Sequence, residues 1–211
     1  MTITKDDIMT FEFGGRTVLL NRDELDHVAS MIKEKGFKII MEIGFYDGGS
    51  ALYWNSLVDG GWIMSMEKMK PPVTLYEAVK NTCEAKGNGF SLFLFDSTSP
   101  LAVSAVRSVL IPRKIQDNSL LPDFGKSVSF GTDLQLDMLF IDGDHTGSTP
   151  LDDFVNYSPF VREGGMVVFD DLNSKDVRSA FSKASLGRKT EEFISPNPSV
   201  AGWNGLGVIH L

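Results

Sequence analysis

Cysteine is nearly missing from this sequence: of 211 residues, only Cys83 carries a thiol. One thiol closes no intrachain disulfide, so a disulfide framework is excluded and a reducing cytoplasm is the expected setting. Positive charge is also scarce. Twenty Lys and Arg face 28 Asp and Glu, for a formal net charge of −8. Nucleic-acid binders present a basic face that neutralises phosphates, so a nucleic-acid partner is not expected. No apolar run approaches the ~20 residues that span a bilayer, and no charged-then-apolar leader is present, so neither a membrane partner nor secretion is expected. Internal repeats and low-complexity tracts are absent. What remains is an ordinary globular composition, 42% hydrophobic and 23% charged, over a length that suits one α/β domain.

Residues 1–35 read as an N-terminal appendage. Phe11 to Phe13 and Thr17 to Leu20 flank Gly14-Gly15 as a hairpin would. Asn21 reads as a helix N-cap, with Asp23, Glu24 and Asp26 early, Lys33 and Lys35 late, and Gly36 as the stop. From residue 36 onward, short apolar runs alternate with helical patterns. The runs are Lys38 to Ile43, Gly61 to Met66, Ser91 to Phe95, Leu136 to Ile141 and Met166 to Phe169, and Gly205 to His210 closes the chain as a last strand. That rhythm predicts an α/β fold with a doubly wound, mostly parallel sheet. Residues 112–135, with their prolines, glycines and polar side chains, break the rhythm and read as an insertion over one edge of the sheet.

In open α/β sheets ligands bind beyond the carboxyl ends of the strands. Polar groups gather there in this chain: Glu42 to Ser50 after the first core strand, Glu67 after the second, Asp96 and Ser97 after the third, Asp142 to His145 after the fourth, and Asp170 with Asp171 after the fifth. The first loop is rich in glycine but lacks G-x-G-x-x-G, because Tyr46 stands two positions after Gly44. Its side chain would obstruct a pyrophosphate, which disfavours a dinucleotide. Glu42 suits a cationic partner such as an amino group. Glu67 suits the hydroxyls of a ribose, so a nucleoside without phosphates fits better than NAD.

The later acids form the strongest constellation. Asp142, Asp144, Asp170 and Asp171 would crowd like charges at the ends of two adjacent strands, and like charges repel unless compensated. A solvated acidic rim is one outcome. A hard divalent cation such as Mg²⁺, which prefers oxygen donors, is the other, and Zn²⁺ is disfavoured with no cysteine and one histidine nearby. A cation there would bind an acceptor hydroxyl and lower its pKa, leaving Asp144 or His145 to take the proton.

On these residues the chain resembles class I S-adenosylmethionine-dependent methyltransferases. It is most similar to the metal-dependent small-molecule O-methyltransferases of the macrocin O-methyltransferase group and, more distantly, the catechol O-methyltransferase group. The resemblance covers roughly residues 36–211. Glu42-Ile-Gly-Phe-Tyr-Asp-Gly-Gly-Ser50, Phe140-Ile-Asp-Gly-Asp-His145 and Arg162-Glu-Gly-Gly-Met-Val-Val-Phe-Asp-Asp171 carry it.

It implies a seven-stranded Rossmann-like sheet with an antiparallel C-terminal strand and helices on both faces. It implies that Gly44, Asp47, Gly48, Gly49 and Ser50 line the methionine part of the donor, with Glu67 at the ribose and Asp96 and Ser97 at the adenine. It implies Asp142, Asp170 and Asp171 as metal ligands, Asp142 also facing the donor, and Asp144 as general base. Asp171 stands where catechol-type members carry Asn. The implied activity is S-adenosylmethionine-dependent, Mg²⁺-assisted methylation of a hydroxyl on a small sugar or natural-product acceptor, and a homo-oligomer is compatible with it. The other readings are a nicotinamide-dependent oxidoreductase, which shares the sheet, and a non-catalytic nucleoside-binding protein.

Overall fold

The computed structural model describes residues 11–110, 134–196 and 204–211. A small hairpin of β1 (Phe11–Phe13) and β2 (Arg16–Val18) precedes α1 (Arg22–Lys35). Then follow β3 (Ile39–Ile43), α2 (Gly49–Leu57), β4 (Trp62–Glu67), α3 (Val73–Ala85), β5 (Gly89–Leu94), α4 (Pro100–Leu110), β6 (Leu136–Ile141), α5 (Thr149–Tyr157), β7 (Val161–Phe169), α6 (Lys175–Ala184), β8 (Lys189–Phe193) and β9 (Leu206–His210).

Seven strands form one sheet in the order β5-β4-β3-β6-β7-β9-β8. The pairs β3/β4, β3/β6, β4/β5 and β6/β7 are parallel, whereas β9 runs antiparallel to both β7 and β8. The chain order reverses between β3 and β6, which is where such sheets open a crevice at their carboxyl ends.

Helices cover both faces, so the central strands are apolar on both sides. Alternate residues serve alternate cores. Ile40, Ile63, Met138, Phe140, Met166 and Val168 pack with α1, α2 and α3. Met41, Ile43, Met64, Leu139, Val167 and Phe169 pack with α4, α5 and α6. The N-terminal segment joins the first of these cores through Val18, Leu20, Leu25, Val28 and Ile32.

Asn21 caps α1 by accepting the Asp23 N–H at 3.0 Å, and Gly36 ends the helix in the left-handed conformation. Glu24 does more than complement the helix dipole. Its carboxyl is buried and accepts the N–H groups of Ser195 (3.2 Å) and Gly205 (2.8 Å), tying α1 to the C-terminal segment.

Two features depart from the sequence reading. The seventh strand is β8, Lys-Thr-Glu-Glu-Phe, an exposed edge whose charges mask its strand character. Arg178 pairs with Glu192 at 2.6 Å and His210 with Glu191 at 3.1 Å, which suits an edge exposed to water. Strand β7 also begins at Val161, upstream of Gly164-Gly165, and its register against β6 shifts between Leu136 and Met138. The expected insertion at 112–135 lies outside the described residues except for its last two. Its two flanks meet, since Leu134 N–H donates to the Leu110 carbonyl at 3.0 Å. No helix among the described residues is long and apolar enough to cross a membrane.

Candidate active site

A cavity of about 880 Å³ opens at the carboxyl ends of β3, β4, β5 and β6. Of the residues singled out from the sequence, Gly44, Asp47, Gly49, Ser50, Glu67, Asp96, Ser97, Asp142, Asp144, His145 and Asp171 line it. Glu42, Gly48 and Asp170 do not.

The glycine loop sets the shape of the cavity. At Gly44 (φ 104°) a Cβ would lie 2.1 Å from the Asp142 carbonyl oxygen, so only glycine lets the tips of β3 and β6 touch. Tyr46 takes a left-handed backbone (φ 45°) and its ring is exposed. Glu67 organises this loop: its Oε2 accepts the N–H groups of Phe45 (3.3 Å) and Tyr46 (3.1 Å), and its Oε1 that of Met69 (2.9 Å). A carboxylate offers about four lone pairs, so this count leaves Glu67 one acceptor site on Oε1 rather than the two that a pair of ribose hydroxyls would need.

Two residues of the loop serve packing instead. Gly48 caps α2 at φ 72°, where a Cβ would press to 2.8 Å from the Val79 side chain. Glu42 points the other way along β3, onto the face shared with Ile40 rather than with Ile43. It is 1% exposed, accepting from Trp54 Nε1 at 2.9 Å and from Ser65 Oγ at 2.7 Å. Burial pushes its carboxyl up to about 8. Glu42, read from the sequence as facing an amino group, is not among the residues that line the cavity.

At the opposite wall, Asp142, His145 and Asp171 each offer a ligand atom, all within 4.8 Å of one another. His145 Nε2 lies 3.4 Å from Asp142 Oδ1, and Nδ1 lies 3.3 Å from Asp171 Oδ2. Asp171, two residues after Phe169 and just past the end of β7, has a left-handed backbone (φ 57°) and lines the cavity on the side of Ile43. Asp170, expected from the resemblance as a ligand, is buried and outside this trio, which has His145 as its third member. Burial raises the Asp170 carboxyl well above its ordinary value, and the Asp142 and Asp171 charges add to that. Burial likewise raises Asp142 and, with Asp142 beside it, lifts Asp171 to about 7. His145 is raised in turn by its bond to Asp142. Two carboxylates and one imidazole form a donor set that a divalent cation fits, with its charge offsetting theirs.

The two candidate bases differ in setting. Asp144 is exposed, and its Oδ1 accepts the Thr146 hydroxyl (2.7 Å) and N–H (3.0 Å), which lowers its pKa. His145 is held between two carboxylates. Farther along the cavity, Lys68 Nζ sits 2.8 Å from Asp96, and this contact together with Thr98 holds the Asp96 carboxyl down to about 2. The Ser97 carbonyl accepts the Tyr157 hydroxyl at 2.6 Å.

Sequence reasoning missed the part played by the hairpin. Val18, Leu19 and Leu20 line the cavity, and Arg16 approaches Asp47 to 3.9 Å. Alternating hydrophobicity marked these residues as a hairpin but carried no sign of where it folds back.

Residues 41–172 match a family described as a methyltransferase domain. No curated protein matches the chain. Several solved structures share the fold. An O-methyltransferase from Bacillus cereus in complex with SAH is 11% identical, with 91% of this chain and 82% of that chain covered at a TM-score of 0.65. A putative caffeoyl-CoA O-methyltransferase from Staphylococcus aureus is 17% identical, with 91% and 85% covered at 0.61. The MycE methyltransferase of the mycinamycin biosynthetic pathway, in complex with Mg and SAH, is 14% identical, with 88% of this chain and 48% of that chain covered at 0.56.

Proposed function

This chain belongs to the methyltransferase-domain family, and from that membership we propose that it methylates a hydroxyl of a small molecule, with a divalent cation held beside the donor. As a member it is an S-adenosylmethionine-dependent methyltransferase. The observation that carries the finer reading is the contact of Gly44 with Asp142. With a Cβ at Gly44 falling 2.1 Å from the Asp142 carbonyl, the donor loop and the acid cluster form one continuous wall.

In this reading the donor's methionine part lies along Gly44, Asp47, Gly49 and Ser50. Its carboxylate faces the N-terminus of α2, where the first helical N–H groups lack intrahelical partners. Glu67 takes a ribose hydroxyl and Asp96 with Ser97 flank the base. Asp142 and Asp171, with His145 or Asp170, would hold the cation, which when bound lowers the pKa of an acceptor hydroxyl and orients its oxygen. The acceptor oxygen attacks the methyl carbon in line. A carbon–oxygen bond forms as the carbon–sulfur bond breaks, the sulfonium leaves as a neutral thioether, and the hydroxyl proton passes to Asp144 or His145. Charge is lost from the sulfonium as the reaction proceeds, so the protein contributes mainly proximity and alignment.

Calorimetric titration with S-adenosylhomocysteine tests the donor half, and absence of binding at millimolar concentration would overturn it. Methyl transfer to a panel of sugars and phenols, with and without Mg²⁺, tests the rest. Asp142→Ala should keep donor binding and lose Mg²⁺-stimulated turnover. Donor and Mg²⁺ binding with no methylated product anywhere in the panel would favour a non-catalytic nucleoside-binding protein instead.

A further inference from the structure

Hydrogen bonds run without a break from the N-terminal helix to the acid cluster. The peptide group that follows Asp171 is pinned at both ends. The Asp171 carbonyl accepts the Ser174 N–H at 2.8 Å, and the Leu172 N–H donates to the Gly205 carbonyl at 2.8 Å. The next carbonyl, that of Leu172, accepts from Arg178 Nε at 3.1 Å. Asp171 itself holds φ 57°, a conformation that residues other than glycine keep only where their surroundings impose it. Gly205 packs closely against this turn, since a Cβ there would lie 3.3 Å from the Leu172 Cβ. Its own N–H donates to Glu24 Oε1 at 2.8 Å, and the same oxygen accepts the Ser195 N–H at 3.2 Å. A path of bonds therefore leads from Glu24 through Gly205 and Leu172 to Asp171.

Glu24 lies on the buried face of α1 with Leu25 and Val28, where an apolar side chain would serve packing. A carboxyl is costly to bury unless its bonds are made, and the bonds made here go to the backbone that braces the Asp171 turn. We propose that Glu24 is a positioning residue of the cation site: by fixing Gly205 it fixes the peptide group that sets the Asp171 carboxylate beside Asp142 and His145. This rests on the reading of Asp171 as a cation ligand. A ligand whose support is rigid needs little further ordering when the cation arrives, and losing such outer support typically costs about 10–100-fold in metal affinity. Glu24 has a rival role, because its charge is felt at Asp170 and Asp171 and would attract a cation without any bonded path. Reach and charge can be separated. Glu24→Asp keeps the charge but draws the carboxylate back by one carbon–carbon bond. Glu24→Gln loses the charge but keeps an oxygen in place to accept both N–H groups.

The test uses the full chain at pH 8, with Mn²⁺ titrated by the paramagnetic resonance of the free ion and S-adenosylhomocysteine by calorimetry. Mn²⁺ shares the oxygen-donor preference of Mg²⁺. Glu24→Asp should weaken Mn²⁺ by about tenfold or more, whereas Glu24→Gln should stay within about threefold of wild type. Both variants should bind S-adenosylhomocysteine as wild type does. A loss of Mn²⁺ affinity in Glu24→Gln as large as in Glu24→Asp would show charge acting instead and overturn the proposal. Equal Mn²⁺ affinity in all three proteins, or a parallel loss of both ligands, would overturn it too and leave Glu24 as packing. If Glu24→Asp does not fold, Arg178→Ala carries the test. It releases the Leu172 carbonyl on the exposed side of the same turn and should weaken Mn²⁺ alone by about tenfold; an unchanged affinity there overturns the proposal. Failure of wild type to take up Mn²⁺ would overturn the cation site itself, and this proposal with it, while leaving donor binding untouched.

Discussion

Replacing Glu42 by Gln should make the protein more stable, and increasingly so as the pH rises. The carboxyl is buried, satisfied by Trp54 and Ser65, and pushed up to about 8 from an ordinary value of 4.5. Below pH 4.5 it is protonated in the folded and unfolded chains alike and contributes no pH dependence. Above 4.5 the unfolded chain releases the proton while the folded chain keeps it, so the folded state binds more protons and stability falls with pH until about 8. That interval of roughly 3.5 pH units, at about 1.4 kcal/mol each, corresponds to about 5 kcal/mol lost by wild type. Gln has the same shape, accepts from Trp54 and does not titrate. Urea unfolding of both proteins at pH 5 and pH 8 reads the difference directly, because the other buried carboxyls titrate in both and largely cancel. The Gln variant should gain about 4 kcal/mol on wild type between the two pH values, a relative midpoint shift of roughly 2 M urea for a slope near 2 kcal/mol/M. A stability difference that stays constant from pH 5 to pH 8 would refute the buried, protonated carboxyl.

Other changes test the backbone of the site. Gly44→Ala places a methyl group 2.1 Å from the Asp142 carbonyl at φ 104°, and should cost about 3 kcal/mol or more in thermal unfolding while weakening S-adenosylhomocysteine binding more than tenfold in calorimetry. Asp171→Asn should melt close to wild type because Asn tolerates the left-handed backbone, whereas Asp171→Val should lose about 1–3 kcal/mol. Equal melting of these two variants would show that the φ of 57° is not imposed by the fold.

How far the sequence reveals this molecule varies by element. The strands buried on both faces announce themselves, and Leu136 to Ile141 is read to the residue because all six positions are buried. Strand β8 escapes because Lys189, Glu191 and Glu192 lie on an exposed edge, where no apolar pattern is required. The carboxyl ends of the strands mark the same neighbourhood as the cavity, and the differences concern which way side chains point. Nothing in the run Lys38 to Ile43 says that the cavity lies on the side of Ile43 and not of Glu42. Just past the end of β7, Asp171 lines the cavity on the side of Ile43 and Asp170 stays buried, and two adjacent aspartates in the sequence carry no sign of which one faces the cavity.

The bond from Leu134 N–H to the Leu110 carbonyl has a consequence for how the chain closes. It brings the end of α4 to the start of β6, one strand length of about 20 Å from the acids at the other end of that strand. With the two ends held together by the backbone bond, the closure entropy depends only weakly on the number of residues between them: a fourfold change in that number alters it by about 1 kcal/mol. The two anchors are thereby set by the sheet and the helix, and a change in the length between them acts on stability through that small entropic difference.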